Sequence, residues 1–307
     1  MRNAFAEAVT LLAEENPNLV LLTADIGNRL FDRFKLRYPD RFYNCGVAES
    51  NMISVAAGLA LCGLRPITYT ITPFTTTRPF EQIRVGVCYH NAPVIIVGTG
   101  AGLAYAELGP THHSLEDLAI LRTLPGMKVL APCDSIELNS LLKEAVTETS
   151  AVYIRIGKKG EPILSPLTTT DIKIGKAHTL RPGRDLLLLA TGTIMQEVLL
   201  AGEILQEKGI VSEIVSVHTI KPLDQDFLRK ASRFKLWVVV EEHGRIGGLG
   251  SAISEWRCQE NVICRQINLG LPDEFIHEVG SQEYMRRHYG LNGEEVAKTI
   301  LYHWDRL

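Results

Sequence analysis

Three short stretches of this 307-residue sequence carry residue types that could do chemistry. GVAESNM (46–52) places the carboxylate of Glu49 at the mouth of an otherwise small and apolar run, ISVAAGLALCG. A buried carboxylate is costly unless something pairs with it. A helix starting at about Ala48 would put Glu49 in the first turn, where N–H groups and the dipole favour negative charge. A bound partner is the other account, because no basic side chain lies nearby in sequence. GPTHHS (109–114) is a Gly-Pro turn bearing His112 and His113. A histidine near a carboxylate in a cleft is acid–base equipment; metal binding would need a third ligand, and none has suitable spacing. PFTTTRPFEQIR (73–84) contributes Phe74, Phe80 and Arg84, whose aromatics fit either a core or a platform for a flat ligand. Two glycine-rich turns, ATGTIMQEVLLAGEIL (190–205) and EEHGRIGGLGS (241–251), could cradle an anion on backbone N–H groups. Tight turns also need glycine for backbone reasons alone.

Elements must hold these residues in place. LVLLTADI (19–26), PITYTIT (66–72), PVIIVGTGA (93–101), KVLAP (128–132) and VYIRIG (152–157) read as buried strands, with helical patterns between them. Near-continuous apolar strands alternating with helices predict a parallel sheet covered on both faces. The rhythm fades from about Lys158 to Gly183, then resumes with DLLLLATG, VSEIVSVHTI, LWVVVEEHG and NVICRQINLG. The expected organisation is α/β, two doubly wound domains at 1–165 and 185–307, with a linker at 166–184. A net charge of −3 gives no electrostatic case for nucleic acid. No apolar run is long enough for a membrane span, and the N-terminal stretch reads as an amphipathic helix rather than a signal peptide. Six cysteines without CxxC spacing suggest neither a zinc cluster nor a disulfide framework, and point to the cytoplasm.

The order of the motifs is more informative than any one of them. DRFYNCGVAESNMISVAAGLALCGLRPI, FTTTRPFEQIR, GPTHHSLEDLAILRTLPGMKVLAPCD, VYIRIGK, IKPLD and EEHGRIGGLGS together resemble the C-terminal section of transketolase, across nearly the whole chain. The resemblance implies a pyrimidine-binding domain followed by a transketolase C-terminal domain, and thiamine diphosphate as cofactor. Glu49 would then hydrogen-bond a ring nitrogen of the cofactor's aminopyrimidine, promoting the imino tautomer that takes the thiazolium proton. A heteroaromatic nitrogen, rather than a protein cation, would offset the cost of burying the acid. Phe74, with Phe80 nearby, would face the pyrimidine, and Asp25 would sit by the cofactor at a dimer interface. His112 matches the histidine of the family's T-H-Q, with His113 replacing its glutamine. The family's GDG…Asn motif for diphosphate and Mg2+ is absent from the sequence. The resemblance therefore implies one subunit of a split transketolase, with metal and diphosphate held mainly by a GDG…Asn partner in an α2β2 assembly. Self-association would run through both domains. The weighed alternatives are the β subunit of a 2-oxoacid dehydrogenase, a deoxyxylulose-phosphate-synthase-like enzyme, and a non-catalytic scaffold subunit. At the substrate end, Arg2, Arg29 and Lys158 fall near the family's anion contacts. Gly100 and Leu108 stand where it has His and Asp. Those two changes predict open room beside Gly100 and a bulkier or modified sugar, even a nucleotide-linked one.

Overall fold

The computed structural model describes every residue from 1 to 307 except 28, 168 and 170. Helix α1 (Arg2–Glu15) lays Phe5, Ala6, Val9 and Ala13 against the first sheet and leads into β1 (Leu19–Thr23), whose five residues are all buried. After α2 (Asp32–Arg37) and the edge strand β2 (Phe42–Asn44), the chain enters α3 (Glu49–Leu61). Strand β3 (Arg65–Ile71) follows, then the single-turn α4 (Thr72–Thr76), whose Pro73 sits where an N–H would be unsatisfied anyway. Residues expected as an ordinary helix in this region instead form a π-helical segment, Gln82–Tyr89, a form that often marks functional sites. Strands β4 (Ile95–Thr99), β5 (Lys128–Leu130) and β6 (Val152–Ile156), with α5 (Asp117–Arg122) and α6 (Ser135–Thr147), complete the first half.

The second half runs β7 (His178–Arg181), β8 (Leu186–Thr191), α7 (Met195–Glu207), β9 (Ser212–Ser216), β10 (Thr219–Lys221) and α8 (Gln225–Ala231). It ends with β11 (Leu236–Gly244), α9 (Leu249–Gln259), β12 (Arg265–Leu271), α10 (Gln282–His288) and α11 (Gly293–Trp304). The first sheet has the order β10-β5-β6-β4-β3-β1-β2 and the second β12-β11-β8-β9-β7. Both are parallel except at one edge each, where β10 and β7 pair antiparallel. The expected linker region thus carries a strand of the second sheet, and the second half lends β10 to the first.

The halves share a core. Leu22, Met52, Ile83 and Ile96 belong to one buried cluster with Leu187, Val215, Trp237 and Val239. Buried polar links add direction to that packing. Arg155 and Asp117, both nearly inaccessible, pair at 3.1 Å, and Tyr153 donates its hydroxyl to Asp117 at 2.6 Å. Arg155 also donates to the carbonyls of Ser114 and Glu242, one from each half. Among the described residues no helix is long and apolar enough to cross a membrane, and the six cysteines are free thiols.

Candidate active site

The carboxyl ends of parallel strands expose backbone and loops to a ligand, most openly where the strand order reverses. In the first sheet β1 lies between β2 and β3, so the chain departs from it in both directions. The candidate residues leave the sheet at this end: Asp25 after β1, Glu49 after β2, Phe74 after β3, Gly100 after β4 and Lys158 after β6. Asp25 has a left-handed backbone and is held by Asn44, which accepts its N–H and donates to its carboxylate, each at 3.0 Å. Asn44 also accepts the Gly46 N–H, so one side chain fixes the approach to α3.

Glu49 opens α3 behind the N-cap Ala48, as its first-turn reading requires, and is 3% exposed. Its partner comes from the turn after α4. Arg78 donates to the Glu49 carboxylate at 2.8 Å, so a protein cation offsets the buried acid here. The same guanidinium lies 4.4 Å from the centroid of Phe74, on the ring expected to face the pyrimidine. Phe74 in turn meets His112 edge-on at 5.1 Å. The structure therefore joins Glu49, Phe74 and His112 through Arg78, which sequence spacing did not single out. Phe80 packs against the hydrophobic core instead of entering this contact.

His112 is partly exposed, with Thr111 Oγ1 3.0 Å from its Nδ1, and burial lowers its pKa below the usual 6.5. A neutral imidazole at physiological pH can take a proton. His113 is turned inward and buried, and burial lowers its pKa as well. The room expected beside Gly100 is filled. A Cβ on Gly100 would stand 2.2 Å from the Tyr105 ring, and the glycine has a φ of +89°. Tyr105 lies 6.2 Å from His112 and carries the Lys158 ammonium 4.5 Å over its face. Leu108 remains largely exposed. Arg2, Lys158 and Lys159 line one cavity of about 250 Å³ with Met1, Asn3 and Gly160. Arg29, left-handed and exposed in the loop after β1, lies outside that lining.

The second half supports this loop from beneath. Glu242, in β11, accepts the Leu103 N–H at 2.6 Å, the Gln282 amide at 2.7 Å and the Arg286 guanidinium. Gly102, at φ +58°, lies so close that a Cβ would be 2.5 Å from the Glu242 carboxylate. The glycine-rich turns are likewise filled by protein groups. Leu249 and Gly250, at the start of α9, donate their N–H groups to Glu241, so the chain's own carboxylate occupies that anion cradle. Gly192 donates to Ala131 O inside the junction of the halves. Among the described residues no group of three or more His, Cys, Asp or Glu could hold a metal ion.

Residues 1–160 match the family model described as "Transketolase, pyrimidine binding domain" and residues 175–296 the one described as "Transketolase, C-terminal domain". A subunit of the apulose-4-phosphate transketolase of Phocaeicola vulgatus is 36% identical over 98% of this chain and 96% of its own. The 6-deoxy-6-sulfo-D-fructose transketolase subunit SqwH of Clostridium sp. is also 36% identical, over 97% of this chain and 92% of its own. A solved structure titled "Split gene transketolase, inactive beta4 tetramer" superposes with a TM-score of 0.87 at 34% identity, covering 98% of this chain and 96% of that one. With both domain models matched in order and full-length relatives of this kind, the chain belongs to the transketolase family, as a chain of the pyrimidine-binding and C-terminal domains.

Proposed function

We propose that this chain is the pyrimidine-domain subunit of a heteromeric, thiamine-diphosphate-dependent transketolase that moves a two-carbon ketol unit between sugars. The observation that carries the reading is the buried Glu49 carboxylate linked through Arg78 to Phe74, which meets His112, at the carboxyl end of the first sheet. These residues fit the aminopyrimidine half of the cofactor. One half-exposed guanidinium, that of Arg78, touches both the carboxylate and the Phe74 ring, and a flat ring with an in-plane donor could take its place. When bound, the cofactor supplies a stabilised carbanion for cleaving and forming the carbon–carbon bond. Glu49 would hold the ring nitrogen and Phe74 would support the ring, with Asp25, held by Asn44, at its edge. His112 moves a proton at a substrate hydroxyl. Mg2+ and the diphosphate go to a GDG…Asn partner subunit, in an α2β2 assembly with self-association of this chain, working in the cytoplasm.

The substrate's anionic end goes to Arg2 and Lys158 in their shared cavity, with Arg29, outside that lining, as a further candidate cation. The two relatives' names specify one phosphorylated and one sulfonated sugar, which fits a cationic cavity. Tyr105 replaces the open space beside Gly100 with an aromatic wall, which argues against a nucleotide-linked sugar and for a compact one. The test is reconstitution. The purified chain, alone and mixed with a GDG…Asn subunit, thiamine diphosphate and Mg2+, is assayed with a panel of ketose donors and aldose acceptors. Turnover is expected only in the mixture. Mg2+-dependent turnover by this chain alone would refute the split site, and 2-oxoacid decarboxylation in place of ketol transfer would refute the transferase.

A further inference from the structure

We infer that Arg78 is a built-in stand-in for the aminopyrimidine, holding Glu49 and Phe74 until the ring displaces it. This rests on the reading of Glu49 as the acid that meets the cofactor. The geometry gives Arg78 both contacts assigned to the ring. Its guanidinium donates to the Glu49 carboxylate at 2.8 Å and lies 4.4 Å from the Phe74 centroid. A guanidinium is flat, presents N–H donors in its plane and stacks on aromatic faces, so it mimics a protonated heteroaromatic ring in shape and polarity. Both cannot occupy the same face of Phe74 and the same carboxylate oxygen together.

Three features make Arg78 exchangeable rather than structural. Its side chain is 48% exposed while Glu49 is 3% exposed, so the cation has solvent to move into and the acid does not. Its backbone is anchored, since the N–H groups of Thr77 and Arg78 both reach Pro73 O. Pro79 follows and restricts Arg78's backbone further, which confines the exchange to the side chain. The arrangement also lets the subunit fold around a buried acid before it meets cofactor, because the acid is never without a partner. Displacement lowers the apparent affinity for cofactor by the fraction of time the contact is open. A contact closed about nine-tenths of the time weakens binding about tenfold.

The test uses the reconstituted complex and reads thiamine diphosphate binding by titration calorimetry in the presence of Mg2+. Arg78→Ala and Arg78→Gln are expected to tighten binding about three- to tenfold. On a Glu49→Gln background, where the charge pair no longer exists, Arg78→Ala is expected to change binding by less than about twofold. Unchanged or weaker binding in both Arg78 variants would overturn the displacement. The acid reading has its own readout: hydrogen–deuterium exchange at the cofactor's C2 should fall in Glu49→Gln. Unchanged exchange there would overturn that reading, whatever Arg78 does.

Discussion

A carboxylate that is 3% exposed has to be justified by what it touches, and Glu49 touches a cation drawn from 29 residues away along the chain. That separation explains why the sequence points to the acid but not to its partner. Helix starts and apolar neighbours are local signals, whereas Arg78 arrives through the turn after α4. Glutamine at position 49 keeps the size and one hydrogen bond but loses charge assistance, which roughly doubles the strength of such a bond. Glu49→Gln is therefore expected to leave assembly intact and to lower ketol transfer by on the order of 10²-fold, equivalent to about 3 kcal/mol in the barrier. Steady-state turnover of the reconstituted complex checks this, with its sedimentation profile showing that assembly persists. Turnover within threefold of wild type would remove Glu49 from the catalytic machinery.

At the scale of elements, the β4–α5 loop is the clearest case of one half of the chain shaping the other. Gly102 pairs in an isolated bridge with Ser114, closing the loop that carries Tyr105 and His112. Glu242 reaches from β11 to hold it at Leu103, and Arg286 holds Glu242. The GPTHHS stretch was legible as a turn bearing two histidines, but the support of its loop was not. Neither the buried Glu242 nor the Tyr105 ring over Gly100 has a periodic signature. Glu242→Gln would remove one of the two carboxylates paired with the buried Arg286 and leave Glu197 as its charge partner. The expected cost is about 3 kcal/mol of stability, as for breaking a buried pair. With the loop loosened, KM for the sugar should rise more than kcat falls, because positioning is lost and the reacting groups are not. Thermal unfolding and steady-state kinetics on the same variant check both parts. A lower unfolding midpoint with unchanged KM would limit Glu242 to a structural role.

At the scale of the molecule, long apolar strands made the two-sheet architecture readable. The three-residue edge strand β2 and the exchange of β10 into the first sheet were too short to leave a pattern. The junction that exchange creates has its own chemistry. His218, just before β10, is fully buried, with Nδ1 3.0 Å from Thr219 Oγ1 and, among the described residues, no hydrogen-bond partner for Nε2. Glu137 and Glu144 face it from α6, His178 from β7 and Asp224 from the start of α8. Burial outweighs those carboxylates and lowers the His218 pKa below the ordinary 6.5. The unfolded chain then binds the proton more readily than the folded one. Stability is fully present above about pH 6.5 and is lost as pH falls from there through the lower folded value. His112 and His113 shift in the same direction and add to the same window, whereas Glu137, held below its ordinary 4.5, contributes a loss only at more acid pH. Each histidine adds at most about 1.4 kcal/mol per pH unit. The unfolding midpoint should be level from pH 8 to about 7 and fall towards about pH 5. His218→Asn, which cannot take up that proton, should flatten the fall by about one proton's worth of slope in denaturant titrations across the same range. An equal slope in the variant would show that the junction histidine takes up its proton as readily in the folded state as in the unfolded one.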